Sequence, residues 1–327
     1  MKNRKINIFD NPQYYRNCIL NQKNLIKYNV NEFSGKALIC VFFTTYCGVG
    51  CPFCFFNSPT PKNNKDSLVS KEYHFSQEGV QKFIDFANKS NVGYLQISGG
   101  GEPFLEKNAI LECVEKVNAE RIILVTSGSW AYSMENAEKY LSDLYLSFRK
   151  NKNMPRVTIR VSISSYHSIK LKEKPLVNLI KIFEKKYKNE KNFTLQFKIF
   201  EDDETLEKYL NENFSNYKLT LIEDNGSDDD NIIKVIPWKY KLTFSSGYEV
   251  IVGKSRVFNS NLKPNLYDKE SILLGEKIYD TDLELSQNNN SSIVYNSDGT
   301  KGLDWIVEYN GNVCTWQNRI QDNLLNI

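Results

Sequence analysis

Between Ala37 and about Glu223, short apolar runs alternate with longer stretches of helical period. Leu38–Thr44, Tyr94–Ser98, Ile122–Thr126, Val157–Ser164, Phe193–Phe200 and Lys218–Ile222 have the length and β-branched or aromatic content of strands. The stretches between them set apolar residues three and four apart. Val80, Phe83, Ile84 and Ala87 form one stripe, and Leu176, Leu179, Ile180 and Phe183 another. Ala137, Tyr140, Leu141, Leu144, Tyr145 and Phe148 form a third, with Ser133 as its N-cap. This alternation predicts an α/β fold with parallel strands and helices packed outside. Six such units suit a partial (β/α)6 barrel.

Side chains alternate across a strand with period two. Val157, Ile159, Val161 and Ile163 therefore share one face, and Thr158, Arg160, Ser162 and Ser164 the other. Leu195, Phe197 and Ile199 lie opposite Thr194, Gln196 and Lys198, while Gln96 and Ser98 share a face with Tyr94. If helices cover the apolar faces, the polar faces point inward. Burying Gln96, Ser98, Arg160, Ser162, Gln196 and Lys198 without partners would cost roughly several kcal/mol. The pattern thus predicts an interior that holds a polar ligand. The alternative is one exposed face of an open sheet, although parallel sheets are usually covered on both sides.

Beyond about residue 231 the pattern changes. Ile232–Ile236, Lys239–Phe244, Tyr248–Val252 and Trp305–Tyr309 are short runs separated by Gly, Asn and Asp, and Asn310-Gly311 suits a hairpin turn into Val313–Trp316. The expected organisation is an N-terminal extension over 1–36, the α/β unit over 37–230 and a mainly β extension over 231–327. Residues 223–230 and 286–292 read as solvated loops. The acidic one lacks the distal glutamate spacing of a calcium loop.

With 327 residues and 41% hydrophobic content, the chain can bury one large core or two smaller ones. The net charge of +3 is near neutral, and lysines spread over helical faces give no nucleic-acid footprint. The first residues are charged and polar, without a signal-peptide core. The longest apolar run, Ala37 to Phe43, is far short of the ~20 residues that span a bilayer. A cytoplasmic protein without a membrane partner is expected. In a reducing compartment, clustered cysteines read as metal ligands rather than disulfides.

Three of the seven cysteines cluster, in Cys47-Gly-Val-Gly-Cys51-Pro-Phe-Cys54. A structural zinc site wants four ligands. Here there is no second cysteine pair, and the two histidines, His74 and His167, are isolated in sequence. Three thiolates suit a four-iron cluster with one iron left open, since such a cluster normally takes four. Further on, Ser98-Gly-Gly-Gly-Glu-Pro103 follows a predicted strand. Glycine backbone there lets main-chain groups approach a ligand closely, and Glu102 can accept from an ammonium. Cys40 and Cys113 read as core residues and Cys18 has no assignable role. His167, after the fourth strand, reads as a loop histidine with a proton relay as the alternative.

With Phe53 before the third cysteine, the run resembles the signature of the radical S-adenosylmethionine (SAM) superfamily, and Gly100-Gly101-Glu102-Pro103 is similar to its GGEP motif. The resemblance implies a partial barrel carrying one 4Fe-4S cluster on Cys47, Cys51 and Cys54. It implies SAM held by its amino and carboxylate groups on the open iron. Reductive cleavage of SAM would then give a 5′-deoxyadenosyl radical that takes hydrogen from a peptide or small metabolite. Gly100, Gly101 and Glu102 would meet the methionine amine, Ser127 and Ser162 other polar groups of SAM, Arg160 or Lys198 its carboxylate, and Phe53 the adenine. An electron donor such as flavodoxin or ferredoxin is implied. With Cys314 the lone cysteine after Cys113, no complete auxiliary cluster can be built, and no cobalamin domain is evident. A peptide epimerase or other peptide maturase is favoured by analogy. Cys314 would be its hydrogen donor, or else a small buried residue of a hairpin. The alternative classes are a non-catalytic iron–sulfur protein and a zinc-binding regulatory or interaction module.

Overall fold

The computed structural model describes residues 35–44, 46–51, 75–99, 101–224 and 238–255, and the backbone of 293–295, 301–307 and 313–314. Its strands are β1 (Ala37–Phe42), β2 (Val92–Ser98), β3 (Arg121–Thr126), β4 (Arg156–Ser162), β5 (Phe193–Phe200), β6 (Tyr217–Asp224), β7 (Trp238–Phe244), β8 (Glu249–Ser255), β9 (Ile293–Tyr295), β10 (Lys301–Val307) and β11 (Val313–Cys314). The α-helices are α1 (Gln77–Lys89), α2 (Lys107–Lys116), α3 (Met134–Lys150), α4 (Ser165–Leu171), α5 (Lys174–Ile182) and α6 (Thr205–Asn213). The expected α/β class is observed.

The three helical stripes sit where their periodicity put them. Val80, Phe83, Ile84 and Ala87 of α1 are buried, as are Leu176, Leu179 and Ile180 of α5 and Ala137, Tyr140, Leu141, Leu144 and Phe148 of α3. Ser76 caps α1 by accepting from the Gly79 N–H at 3.0 Å. Ser133 holds the N-cap position of α3 without that side-chain bond. The helices pack against Ile39, Val41, Leu95, Ile97, Ile122, Leu124, Val157, Ile159, Val161, Leu195 and Phe197, which share one face of the sheet.

The strands run in the order β11-β10-β1-β2-β3-β4-β5-β8-β7-β6, with β9 paired to β10. From β10 to β8 neighbouring strands are parallel. The two end strands do not pair, so the described strands make an open sheet. One position departs from a simple run of six βα units. The place beside β5 belongs to β8, while β6, the run Lys218–Ile222 expected there, lies at the edge antiparallel to β7. Burial explains the exchange. Val250 and Val252 of β8 are almost fully buried, whereas Leu221 and Ile222 of β6 are about half exposed (46% and 50%). Only β8 carries the apolar face that the slot requires.

The C-terminal strands join this same sheet. β7 and β8 extend it beyond β5, and β10 pairs parallel with β1 at the other end. β10 and β11 pair antiparallel, as a hairpin would, but the Asn310-Gly311 turn lies outside the described residues. So do Ile232–Ile236, residues 286–292, the acidic loop beyond Asp224, and all but the last two residues of the 1–36 extension.

The chain end of α2 depends on one buried amide. Asn151 donates to the carbonyls of Val114 and Val117 at 2.8 and 3.0 Å, and its oxygen accepts from the Asn153 N–H at 2.9 Å. Asn151→Ala strands those carbonyls and is expected to lower the unfolding free energy by about 2–3 kcal/mol. Urea denaturation measures this, and a loss below about 0.5 kcal/mol would contradict it.

A candidate cluster-binding site at the C-terminal edge of the parallel sheet

Parallel strands deliver their following loops to one edge of a sheet, the usual place for a site in such folds. Here that edge gathers the cysteine loop after β1, the Gly-rich segment after β2, and the turns after β3 and β4. Cys47 and Cys51 are both thiols, half-buried in this loop. The loop is tied at its start by the Tyr46 N–H, which donates to Thr44 Oγ1 at 3.0 Å. Gly50 takes φ +67°, a left-handed conformation that glycine adopts without strain.

The Gly-rich segment is bonded directly to this loop. The Glu102 N–H donates to the Tyr46 carbonyl at 2.7 Å, next to Cys47. Gly99 is folded so tightly that a Cβ there would overlap the Gly101 carbonyl, so a residue with a side chain cannot replace it without moving the backbone.

The Glu102 side chain is buried at 3% exposure. Its Oε1 accepts from the Phe104 N–H at 3.1 Å and from Thr126 Oγ1 at 2.7 Å. Its Oε2 accepts from the N–H and Oγ of Ser127, at 2.8 and 2.5 Å. Burial pushes this carboxyl above the ordinary value, and hydrogen bonds from Ser127, Thr126 and Phe104 pull it back. A carboxylate has about four acceptor positions, and the protein fills them. Ser127 is therefore engaged with Glu102 through both its groups. Thr126, which the strand pattern does not single out, also accepts from the Gly128 N–H and the Trp130 indole. Trp130 in turn stacks on Phe104, with ring centroids 4.6 Å apart.

Helix α4 holds the other flank. Lys170 donates to the carbonyls of Gly48, at 2.9 Å, and Val49. One turn earlier, His167 Nε2 lies 3.6 Å from Cys51 Sγ, and its Nδ1 is 2.7 Å from Ser164 Oγ. Burial pushes the imidazole down to about 4, so it is neutral at pH 7. Sequence distance concealed this contact, since 116 positions separate the two residues. The Ser164-x-x-His167 spacing at a helix start was its one local signal.

Across the opposite face, which no described helix covers, adjacent strands align the remaining predicted residues. Arg160 Nε donates to Gln196 Oε1 at 2.9 Å, Thr158 and Thr194 hydroxyls meet at 3.1 Å, and Ser162 sits in register with Lys198. Burial and the nearby Arg160 push the Lys198 ammonium down to about 8. These side chains are half-buried. Cys40 and Cys113 are core residues, at 2% and 0% exposure. Cys314 lies on β11, in register with Ile306 of β10, which is in register with Cys40 of β1. Phe53, Cys54 and Gly100, with Cys18 and His74, lie outside the described residues.

Residues 33–162 match the family model of the 4Fe-4S single cluster domain, a domain found in radical SAM-like proteins. The matched stretch runs from before β1 to the end of β4, and so contains the three clustered cysteines, Glu102 and Ser127. The match supports a 4Fe-4S cluster domain in this part of the chain. His167, Lys170, Lys198 and all of the C-terminal strands lie beyond the match. No curated protein matches the chain. No helix among the described residues is long and apolar enough to cross a membrane.

Two outcomes follow from the charges at this edge. Glu102→Gln turns one acceptor group into a donor facing donors, and is expected to cost about 2–4 kcal/mol of stability, read by urea denaturation. A variant as stable as the wild type would show that the four bonds do not hold these loops. Lys198, with its folded value lowered to about 8 from 10.5, binds fewer protons folded than unfolded between those limits. Its contribution is full above the unfolded value and is lost as pH falls through about 8. Relative to Lys198→Met, the wild type is expected to gain stability as pH rises from about 8 to 10.5. Parallel stability curves for the two proteins would contradict this.

Proposed function

We propose that this chain is a radical SAM enzyme whose single 4Fe-4S cluster is held by Cys47, Cys51 and Cys54. The observation that carries the reading is the bond from Glu102 N to the Tyr46 carbonyl, which joins the cysteine loop to the Gly-rich segment. The donor set fits the cluster. Two half-buried thiols share a short loop with a third cysteine three positions on. Lys170 draws the Gly48 and Val49 carbonyls to itself. Beside Cys47, the buried Tyr46 hydroxyl has no hydrogen-bond partner among the described residues, an unmet demand that a bound group would satisfy.

Cys47, Cys51 and Cys54 would hold the cluster, which would supply the electron for reductive cleavage of SAM and so the radical chemistry on a peptide or small-metabolite substrate. The chain's own residues position the reactants. With its carboxylate filled by protein donors, Glu102 acts through the backbone it fixes. Gly100, Gly101 and the Glu102 main chain would receive the methionine amine, and Ser127 holds Glu102 in place. Arg160 and Lys198, two cations on adjacent strands, would draw the SAM carboxylate to the polar face of the sheet, where Ser162 would add a hydroxyl. Phe53 would meet the adenine, as the resemblance implies. Cys314 is the candidate hydrogen donor to a substrate radical, and a flavodoxin- or ferredoxin-type protein supplies electrons.

One observation favours a second reading, a single zinc ion on the three cysteines and His167. Zn–S of about 2.3 Å and Zn–N of about 2.0 Å at a tetrahedral angle put sulfur and nitrogen about 3.5 Å apart, close to the 3.6 Å between Cys51 and His167. The 4Fe-4S family match favours the cluster.

The test is anaerobic reconstitution with iron and sulfide, followed by SAM and dithionite, with 5′-deoxyadenosine quantified. The proposal expects 5′-deoxyadenosine from the wild type. Cys51→Ala should lose the iron and the product, while Cys113→Ala, in the core, should keep both. Equal iron loss in the two variants would overturn the ligand assignment, and one zinc per chain without product would establish the second reading.

A further inference from the structure

We propose that His167 sets the reduction potential of the cluster by donating its Nε2–H to the sulfur of Cys51; the inference rests on the cluster reading above. The direction of the bond follows from the wiring of Ser164. That side chain is 1% exposed, and its oxygen already accepts from the His167 backbone N–H, at 3.4 Å, as the N-cap of α4. Its own proton needs an acceptor, and among the described residues the one within reach is His167 Nδ1, at 2.7 Å. Nδ1 is thus the acceptor nitrogen of the ring, and the ring proton sits on Nε2. Nε2 is the atom that faces Cys51 Sγ, at 3.6 Å.

The ring is held in this direction from several sides. Asp203, before α6, accepts from the Ser165 N–H at 2.7 Å through one carboxylate oxygen and from the Thr205 N–H at 2.9 Å through the other. This fixes the first turn of α4 to the end of β5. One turn on, Lys170 bonds the cysteine loop itself. His167 and Lys170 are three apart, so they project from the same side of the helix. The loop and the imidazole therefore keep their relation through two independent attachments.

A hydrogen bond to a ligating thiolate stabilises the more negative, reduced cluster and raises its potential. His167 lies outside the matched 33–162 stretch, so the family match itself says nothing of this donor.

The test uses the full chain reconstituted with iron and sulfide, comparing wild type with His167→Phe, His167→Gln and Ser164→Ala. Iron and sulfide content are measured, and the cluster is titrated potentiometrically with EPR detection of the reduced form. His167→Phe should keep wild-type iron and sulfide. Its reduced-to-oxidised ratio at a fixed potential should fall about tenfold, a shift of about 59 mV to more negative values for one electron. His167→Gln, which keeps an N–H donor, should restore at least half of that shift. Ser164→Ala, which frees the choice of tautomer, should shift the ratio in the same direction by less. A fully loaded His167→Phe with the wild-type potential would overturn the inference. So would iron loss in His167→Phe matching Cys51→Ala, which would make the imidazole a ligand. If His167→Phe is insoluble, a wild-type potential in Ser164→Ala overturns the inference, and a fall in its ratio supports it. A wild type that takes up no iron removes the proposed function and this inference together. A wild type with its cluster and unshifted variants removes the inference alone.

Discussion

A carboxylate removed from water must find its donors within the protein, and Glu102 finds four of them at the ends of two strands. Those bonds fix the segment after β2 against the turn after β3. The Glu102 backbone N–H then fixes the same segment to the cysteine loop after β1. Three consecutive loops are thereby made into one body. The burial that makes an unpaired carboxylate costly is what makes a fully paired one rigid. Everything proposed for the chemistry at this edge depends on that knot.

The remainder of the sheet supplies a floor of divided character. Its apolar face is closed by α1, α2, α3 and α5, and the face that no described helix covers carries Arg160, Gln196 and Lys198. Burial first and the nearby Arg160 second push Lys198 down, and this pairing of cations becomes favourable once an anion sits between them. An edge of hydrogen-bonded loops beside a half-buried cationic face suits an anionic group.

How much of this the sequence discloses depends on the range of the interaction concerned. The five strands β1 to β5 and the three helical stripes were legible, because burial periodicity is local. The cysteine run and the Gly-rich segment were legible for the same reason. Strand order at the far side was hidden, since β8 and β6 compete for one slot and pairing across 50 or so residues decides between them. The role of the Glu102 carboxylate was hidden too, because Thr126 and Ser127 reach it from the next strand. The His167–Cys51 contact lies at a distance that no spacing rule covers.

Mössbauer spectroscopy of protein reconstituted with enriched iron, before and after SAM is added, tests the central claim most directly. The account predicts a four-iron cluster in which one iron differs from the other three, with SAM altering the parameters of that one iron. Four equivalent irons indifferent to SAM, or a protein that binds no cluster, would contradict it.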